Sequence, residues 1–249
     1  MNATGIIPAR YASSRFPGKP LADILGKPMI QWVYERACRA KFLDEVIVAT
    51  DDQRIFDNVV EFGGQVIMTS AQAANGTERV AEVAKNLNST FILNIQGDEP
   101  LIDPETIDQL VILMRKSPET PVGTLVKQIV RREDLINPNI PKVVVDKYCY
   151  ALYFSRSIIP CYRDEKQPEK WLNKSVYYQH IGMYIYHRDF LLEFVKLPAS
   201  KLEKIEQLEQ LRVLENGYKI KVALTESDSI GVDVPEDIDR VISYLRELD

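Results

Sequence analysis

Asp98 and Asp233 stand where carboxylates can do chemistry. Asp98 follows the mostly apolar run Phe91–Ile95 in the turn Gln96-Gly97-Asp98-Glu99-Pro100, and Asp233 stands in Gly231-Val232-Asp233-Val234-Pro235-Glu236-Asp237. A carboxylate delivered at the end of a strand can hold Mg²⁺, which takes one or two carboxylates together with phosphate oxygens. Each also has a plainer reading, Asp98 as a turn residue and Asp233 as an N-terminal cap with Pro235 and Glu236 in the first helical turn. Phosphates would be met by the loop after Gly5-Ile6-Ile7, which carries Arg10, Arg15 and Lys19, the hydroxyls of Ser13 and Ser14, and a Pro17-Gly18 turn. Backbone N–H groups can turn inward where glycine permits, and the cations supply countercharge. Asn75-Gly76-Thr77-Glu78-Arg79 reads as a turn into a helix capped by Thr77. His180 and His187 are the two histidines, too few to support a Ser-His-Asp reading.

The elements that must position these residues alternate. Gly5–Ile7, Val46–Thr50, Val66–Met68 and Phe91–Ile95 read as strands. Between and after them, helical spacing marks a segment entered at Pro28 (Ile30, Val33, Tyr34, Ala37), then Arg54–Phe62, Thr77–Leu87 and Pro104–Met114. The pattern predicts a parallel, doubly wound α/β sheet with ligands at the carboxyl ends of its strands, where the cationic loop, Asp51-Asp52 and Asp98 would lie. From about Val122 the pattern changes to the strand-like runs Val122–Val126, Lys142–Asp146, Tyr150–Ser155 and Ile181–Tyr186, a mixed or antiparallel extension. One helix is expected over Glu203–Glu215, with Ile205, Leu208, Leu211 and Leu214 on its apolar face, then a strand at Ile220–Leu224 and a last helix at Pro235–Leu245. Without repeat or linker, the expectation is one domain with a lobe: a nucleotide-binding core of about 1–121 and 217–249, and a lobe of about 122–216.

The chain has 249 residues, 45% hydrophobic and 27% charged, with a formal net charge of −5. That suits a globular enzyme with a sizeable core and excludes a nucleic-acid-binding basic block. Cys38, Cys149 and Cys161 lack C-x-x-C spacing, which speaks against a zinc site or a disulfide framework and for a reducing cytoplasm. No apolar run has the length of a membrane span.

Ile6-Ile7-Pro8-Ala9-Arg10-Tyr11-Ala12-Ser13-Ser14-Arg15-Phe16-Pro17-Gly18-Lys19-Pro20-Leu21 resembles the opening motif of the bacterial CMP-sugar-acid synthetases. The resemblance is strongest to the 3-deoxy-manno-octulosonate (Kdo) cytidylyltransferase family and runs from about Ile6 to Asp237. It implies transfer of CMP from CTP to a 3-deoxy-2-ulosonic acid, with Mg²⁺ held by Asp98 and Asp233, in a cytoplasmic homodimer serving lipopolysaccharide synthesis. One metal would act between the α-phosphate and the sugar acid, and a second on the triphosphate. Pro8, Ala9, Arg10, Ser13, Arg15, Lys19, Asn75, Gly76, Arg79 and Gln96 would bind the nucleotide, Arg10 and Lys19 stabilising phosphate charge. Arg156, His180, Tyr184, Glu209 and Gln210 would bind the sugar acid. The chain departs from the family pattern at Asn75, where Ser is usual, and at Val234, where Thr is usual. Other outcomes on the same motifs are an 8-amino analogue of Kdo, a sialic or pseudaminic type of acid, or a nucleotide-binding regulator without chemistry.

Overall fold

A computed structural model describes residues 1–12, 16–228 and 231–248. Ser13 and Arg15, two of the expected nucleotide contacts, lie outside the described residues. The chain divides into two units, one of residues 1–112 and 228–249, the other of residues 113–227.

In the first unit, β1 (Ala3–Ala9) is the hub, with Ile6 and Ile7 fully buried as in a strand covered on both faces. A short hairpin, β2 (Asp23–Ile24) and β3 (Lys27–Pro28), leads into α1 (Met29–Ala37), whose buried face is Met29, Ile30, Val33 and Ala37. Then β4 (Glu45–Thr50), α2 (Gln53–Glu61), β5 (Val66–Met68), α3 (Gly76–Ala84), β6 (Phe91–Asn94) and α4 (Pro104–Lys116) alternate as the sequence predicts. β4 lies parallel to β1, β5 parallel to β4, and β6 parallel to β1 on its other side. The winding therefore reverses between β1 and β6. In open α/β sheets the crevice at such a reversal, outside the carboxyl ends of the strands, is where ligands bind.

The second unit holds β7 (Val122–Gln128), α5 (Arg132–Ile136), β8 (Lys142–Val145), β9 (Ala151–Ser155), β10 (Tyr178–His187), α6 (Arg188–Phe194), α7 (Lys201–Glu206), α8 (Leu211–Glu215) and β11 (Ile220–Leu224). β10 runs antiparallel to β7 and β8, and β8 antiparallel to β9. β11 pairs in parallel with β7, so residues 217–227 fall with the lobe and not with the core, where the sequence division had put them. The final helix, α9 (Asp237–Leu248), belongs to the first unit. Its Val241 and Leu245 pack with Ile24, Met29, Leu101 and Val232 in one apolar cluster, which anchors the segment carrying Asp233.

Three local expectations are corrected. The single helix over Glu203–Glu215 is two, because Gln207 takes a left-handed conformation (φ 53°) that ends α7, and Ile205 is exposed. The apolar repeat at Leu208, Leu211 and Leu214 continues across the break and hides it. The last helix begins at Asp237, not Pro235. Helix α3 is capped by Asn75, whose side-chain oxygen accepts the Glu78 N–H at 2.8 Å, while Thr77 is buried and its hydroxyl accepts from the Asn94 amide.

Candidate active site

At the reversal between β1 and β6, the first unit contains a cavity of about 290 Å³. Pro8, Ala9, Arg10, Lys19, Asn75, Gly76, Arg79, Gln96, Asp98 and Asp233 all line it, joined by Pro20, Ala73, Ala74 and Gly97. Close approach of two backbone segments builds it. A Cβ on Gly97 would stand 2.8 Å from the Pro8 carbonyl oxygen, so only glycine lets the loop after β6 lie against the end of β1. That contact carries Asp98 to the mouth of the cationic loop. The loop is itself shaped at Gly18 (φ 75°), whose N–H donates to the Tyr11 carbonyl at 2.9 Å.

Val232 ties the reactive groups together. It is fully buried in the α9 cluster, and its N–H donates to the Asp98 carbonyl oxygen at 2.9 Å. Its own carbonyl accepts from Lys19 Nζ at 2.8 Å, and the same ammonium donates to Asp98 Oδ2 at 2.7 Å. The neighbouring Asp233 is exposed on the cavity wall. It does not cap α9. The carboxylate of Asp237 accepts the N–H groups of Asp233 and Val234 at 2.8 and 3.1 Å, and these bonds, with Arg240 nearby, hold the Asp237 carboxyl below its usual range against the desolvation that opposes them.

The donor set suits a hard divalent cation. Two carboxylates line one cavity, and an ammonium already sits at hydrogen-bond distance from one of them, in a position where positive charge is favoured. Among the described residues no cluster of three or more His, Cys, Asp or Glu side chains forms, so the remaining coordination would come from phosphate oxygens and water, as Mg²⁺ prefers. Arg10 is exposed on the same wall and makes no ion pair among the described residues. Arg79 differs. It is buried, paired with Asp51 Oδ2 at 2.9 Å and hydrogen-bonded to the Thr69 hydroxyl, so its guanidinium is fixed in the cavity wall.

The expected sugar-acid residues lie in the second unit. His180 and Tyr184 face each other on β10 with ring centres 5.2 Å apart, and the His180 Nε2 meets the Thr124 hydroxyl at 3.2 Å. Tyr184 is pushed well above the usual phenol range by burial first, then by the charges of Tyr186 and Glu209. The Tyr184 hydroxyl and the Gln210 Nε2 are both buried without a hydrogen-bond partner among the described residues. Buried polar atoms are normally satisfied, and two unsatisfied ones fall among the expected sugar-acid residues. Arg156 directs its guanidinium to three backbone carbonyls, Glu206, Gln207 and Pro138, at 2.7 to 3.2 Å.

Burial pushes the His180 imidazole down to about 3. Its folded pKa lies below the unfolded value of about 6.5, so whatever it contributes to stability is present above that value and is lost as the pH falls toward 3. The ring stays neutral through the physiological range and serves as a neutral hydrogen-bonding group. The profile of kcat/KM for the free enzyme between about pH 5.5 and 8 should therefore carry no inflection from His180. His180→Gln is expected to lower the profile without changing its shape. Loss of an inflection in that range on substitution would overturn the neutral assignment.

Comparison with known proteins decides the family. The cytidylyltransferase family model matches residues 4–220. A 3-deoxy-manno-octulosonate cytidylyltransferase of Geobacter sulfurreducens is 51% identical, the match covering 99% of this chain and 100% of that protein. Another of the same name from Thermodesulfovibrio yellowstonii is 54% identical over 94% of each. This chain belongs to the 3-deoxy-manno-octulosonate cytidylyltransferase family.

A solved family structure, described as CMP:2-keto-3-deoxy-manno-octonic acid synthetase complexed with CTP, is 42% identical, covers 100% of both chains and superposes with a TM-score of 0.93. A 4-diphosphocytidyl-2C-methyl-D-erythritol synthase from Anaerococcus prevotii, 17% identical with a TM-score of 0.62, shares the fold. Within this family frame, sequence reasoning missed the parts that work through backbone. Val232 bridges Lys19 and Asp98 by its peptide groups, and a valine advertises nothing of the kind. Asp237 had a signal, a second aspartate four positions after Asp233. The Asp51–Arg79 pair had one too, a carboxylate at the end of β4 facing a cation on α3.

Proposed function

We propose that this chain transfers CMP from CTP to Kdo, giving CMP-Kdo and pyrophosphate. The observation that carries the reading is the single cavity in which Arg10, Lys19, Asp98 and Asp233 meet Asn75, Gly76 and Arg79. The near-50% identity to full-length relatives of that name supports the substrate pair. The anomeric hydroxyl oxygen of the sugar acid bonds to the α-phosphorus, the bond from that phosphorus to the bridging oxygen of the β-phosphate breaks, and the hydroxyl proton passes to solvent. Mg²⁺ held by Asp98 and Asp233 would neutralise phosphate charge and lower the pKa of the attacking hydroxyl.

The protein's own part is positioning and electrostatics. Lys19 exchanges Asp98 for phosphate oxygens once the triphosphate is bound, and Arg10 adds countercharge from the same wall. Backbone carbonyls around Ala73 and Ala74 are the groups we assign to the cytosine amine, because the Asn75 side-chain oxygen is engaged in capping α3. A base site built on such acceptors leaves them facing a carbonyl when UTP binds, so strong discrimination is expected. Pyrophosphate release with CTP and with UTP tests this directly, and equal kcat/KM for the two nucleotides would contradict it.

Tyr184, Gln210, His180, Glu209 and Arg156 form the sugar-acid set in this reading. Kdo is expected to outcompete its 8-amino-8-deoxy analogue at limiting CTP, measured as the ratio of kcat/KM values. A preference for the amino sugar would change the substrate and leave the phosphoryl chemistry standing. No helix among the described residues is long and apolar enough to cross a membrane. A cytoplasmic homodimer supplying lipopolysaccharide synthesis completes the proposal.

A further inference from the structure

Lys142, at the start of β8, is fully buried and belongs to neither set of site residues. Its ammonium has three hydrogens to place, and three backbone carbonyls receive them: Asn137 at 2.7 Å, Ile140 at 2.8 Å and Arg156 at 3.3 Å. Those carbonyls come from two segments, the loop between α5 and β8 and the residue after β9. The ammonium therefore clamps the loop onto the residue that carries the Arg156 guanidinium.

The clamp continues outward. Held in this way, the loop offers its Pro138 carbonyl to Arg156 Nη1 at 3.0 Å. The rest of the guanidinium reaches the last carbonyls of α7, with Nε at 2.7 Å from Glu206 O and Nη2 at 3.2 Å from Gln207 O. The Glu206 carboxylate answers by accepting the Arg156 N–H at 2.9 Å and the Ser155 hydroxyl at 2.7 Å. Carbonyls at a helix end need partners from outside the helix, and here one arginine supplies those of Glu206 and Gln207. The helix stops at Gln207, and the chain turns through buried Leu208 to Glu209 and Gln210.

We infer that Lys142 is a positioning residue for the sugar-acid site: it fixes Arg156 and, through Arg156, the turn that presents Glu209 and Gln210. An apolar side chain would fill the same space but leave the loop and Arg156 without their common donor. The inference rests on the proposed sugar-acid role of that turn.

The test is Lys142→Met, which keeps the side-chain length and removes the charge, with KM measured separately for Kdo and CTP on the full chain. The expected result is a rise in KM for Kdo of about tenfold or more, with KM for CTP within about twofold of wild type and kcat reduced far less than kcat/KM. A purely structural lysine would move both KM values together. A rise for Kdo that fails to exceed the rise for CTP by at least about fivefold overturns the inference. If the methionine variant does not unfold cooperatively, Glu206→Ala is read by the same criterion, since it removes the acceptor of the Arg156 N–H while keeping Lys142. Wild-type protein that does not convert Kdo and CTP at all defeats the proposed function, an outcome separate from either variant result.

Discussion

Asp98→Asn is expected to lower turnover on the order of 10³-fold or more while leaving the protein folded. The substitution keeps size and removes charge. The backbone oxygen of Asp98, which receives the Val232 N–H, is untouched, so the link between the β6 loop and the α9 cluster persists. Lys19 keeps its second acceptor, the Val232 carbonyl. The lost ion pair is a third exposed on the aspartate side and contributes little to stability. What disappears is one of two carboxylates lining the cavity, and with it the charge that, in the proposed reaction, would hold a divalent cation beside the α-phosphate. Pyrophosphate release followed across a Mg²⁺ titration measures it. Near-normal turnover at any Mg²⁺ concentration would end the assignment of Asp98.

The second large effect belongs to Lys19. Lys19→Ala should weaken CTP binding by about 10- to 150-fold, the equivalent of losing one charge-assisted contact of roughly 1.5–3 kcal/mol. UTP, however poorly accepted, should lose by about the same factor, because the ammonium acts on phosphate and not on the base. The geometry adds a condition. In the free protein Lys19 neutralises Asp98 at 2.7 Å, so its removal leaves the Asp98 carboxylate facing the incoming phosphates. The deficit in the variant should therefore widen as Mg²⁺ is lowered and narrow as it is raised. Isothermal titration with CTP at several Mg²⁺ concentrations checks both statements. Unchanged CTP affinity would mean that the loop after β1 is a solvated surface.

Much of this was legible because it is local. A strand ending in Gln96-Gly97-Asp98 and a cationic loop after the first strand announce themselves by residue type and spacing, and alternation of strand and helix put them at one end of a parallel sheet. The roles that escaped depend on contacts far apart in sequence. The break at Gln207 runs against the apolar period of Leu208, Leu211 and Leu214, and the carbonyls it leaves are met by an arginine some fifty positions earlier. At the start of α9 the Asp237 carboxylate reaches back to the N–H groups of Asp233 and Val234, a contact that residue spacing alone does not announce. Lys142 begins an unremarkable strand by pattern, and only the fold shows that its ammonium is enclosed by carbonyls. Pairing of β11 with β7 likewise moved a segment from core to lobe for a reason that no local signal carries.

The central claim is transfer of the CTP α-phosphorus to a sugar-acid oxygen, and phosphorus NMR of one reaction mixture tests it most directly. With the wild-type chain, CTP, Kdo and Mg²⁺, the α-phosphorus signal should be replaced by a single phosphodiester resonance, with pyrophosphate appearing in equal amount. Omitting Kdo should leave CTP unchanged. CTP that stays intact with the sugar present, or that breaks down equally without it, would contradict the account.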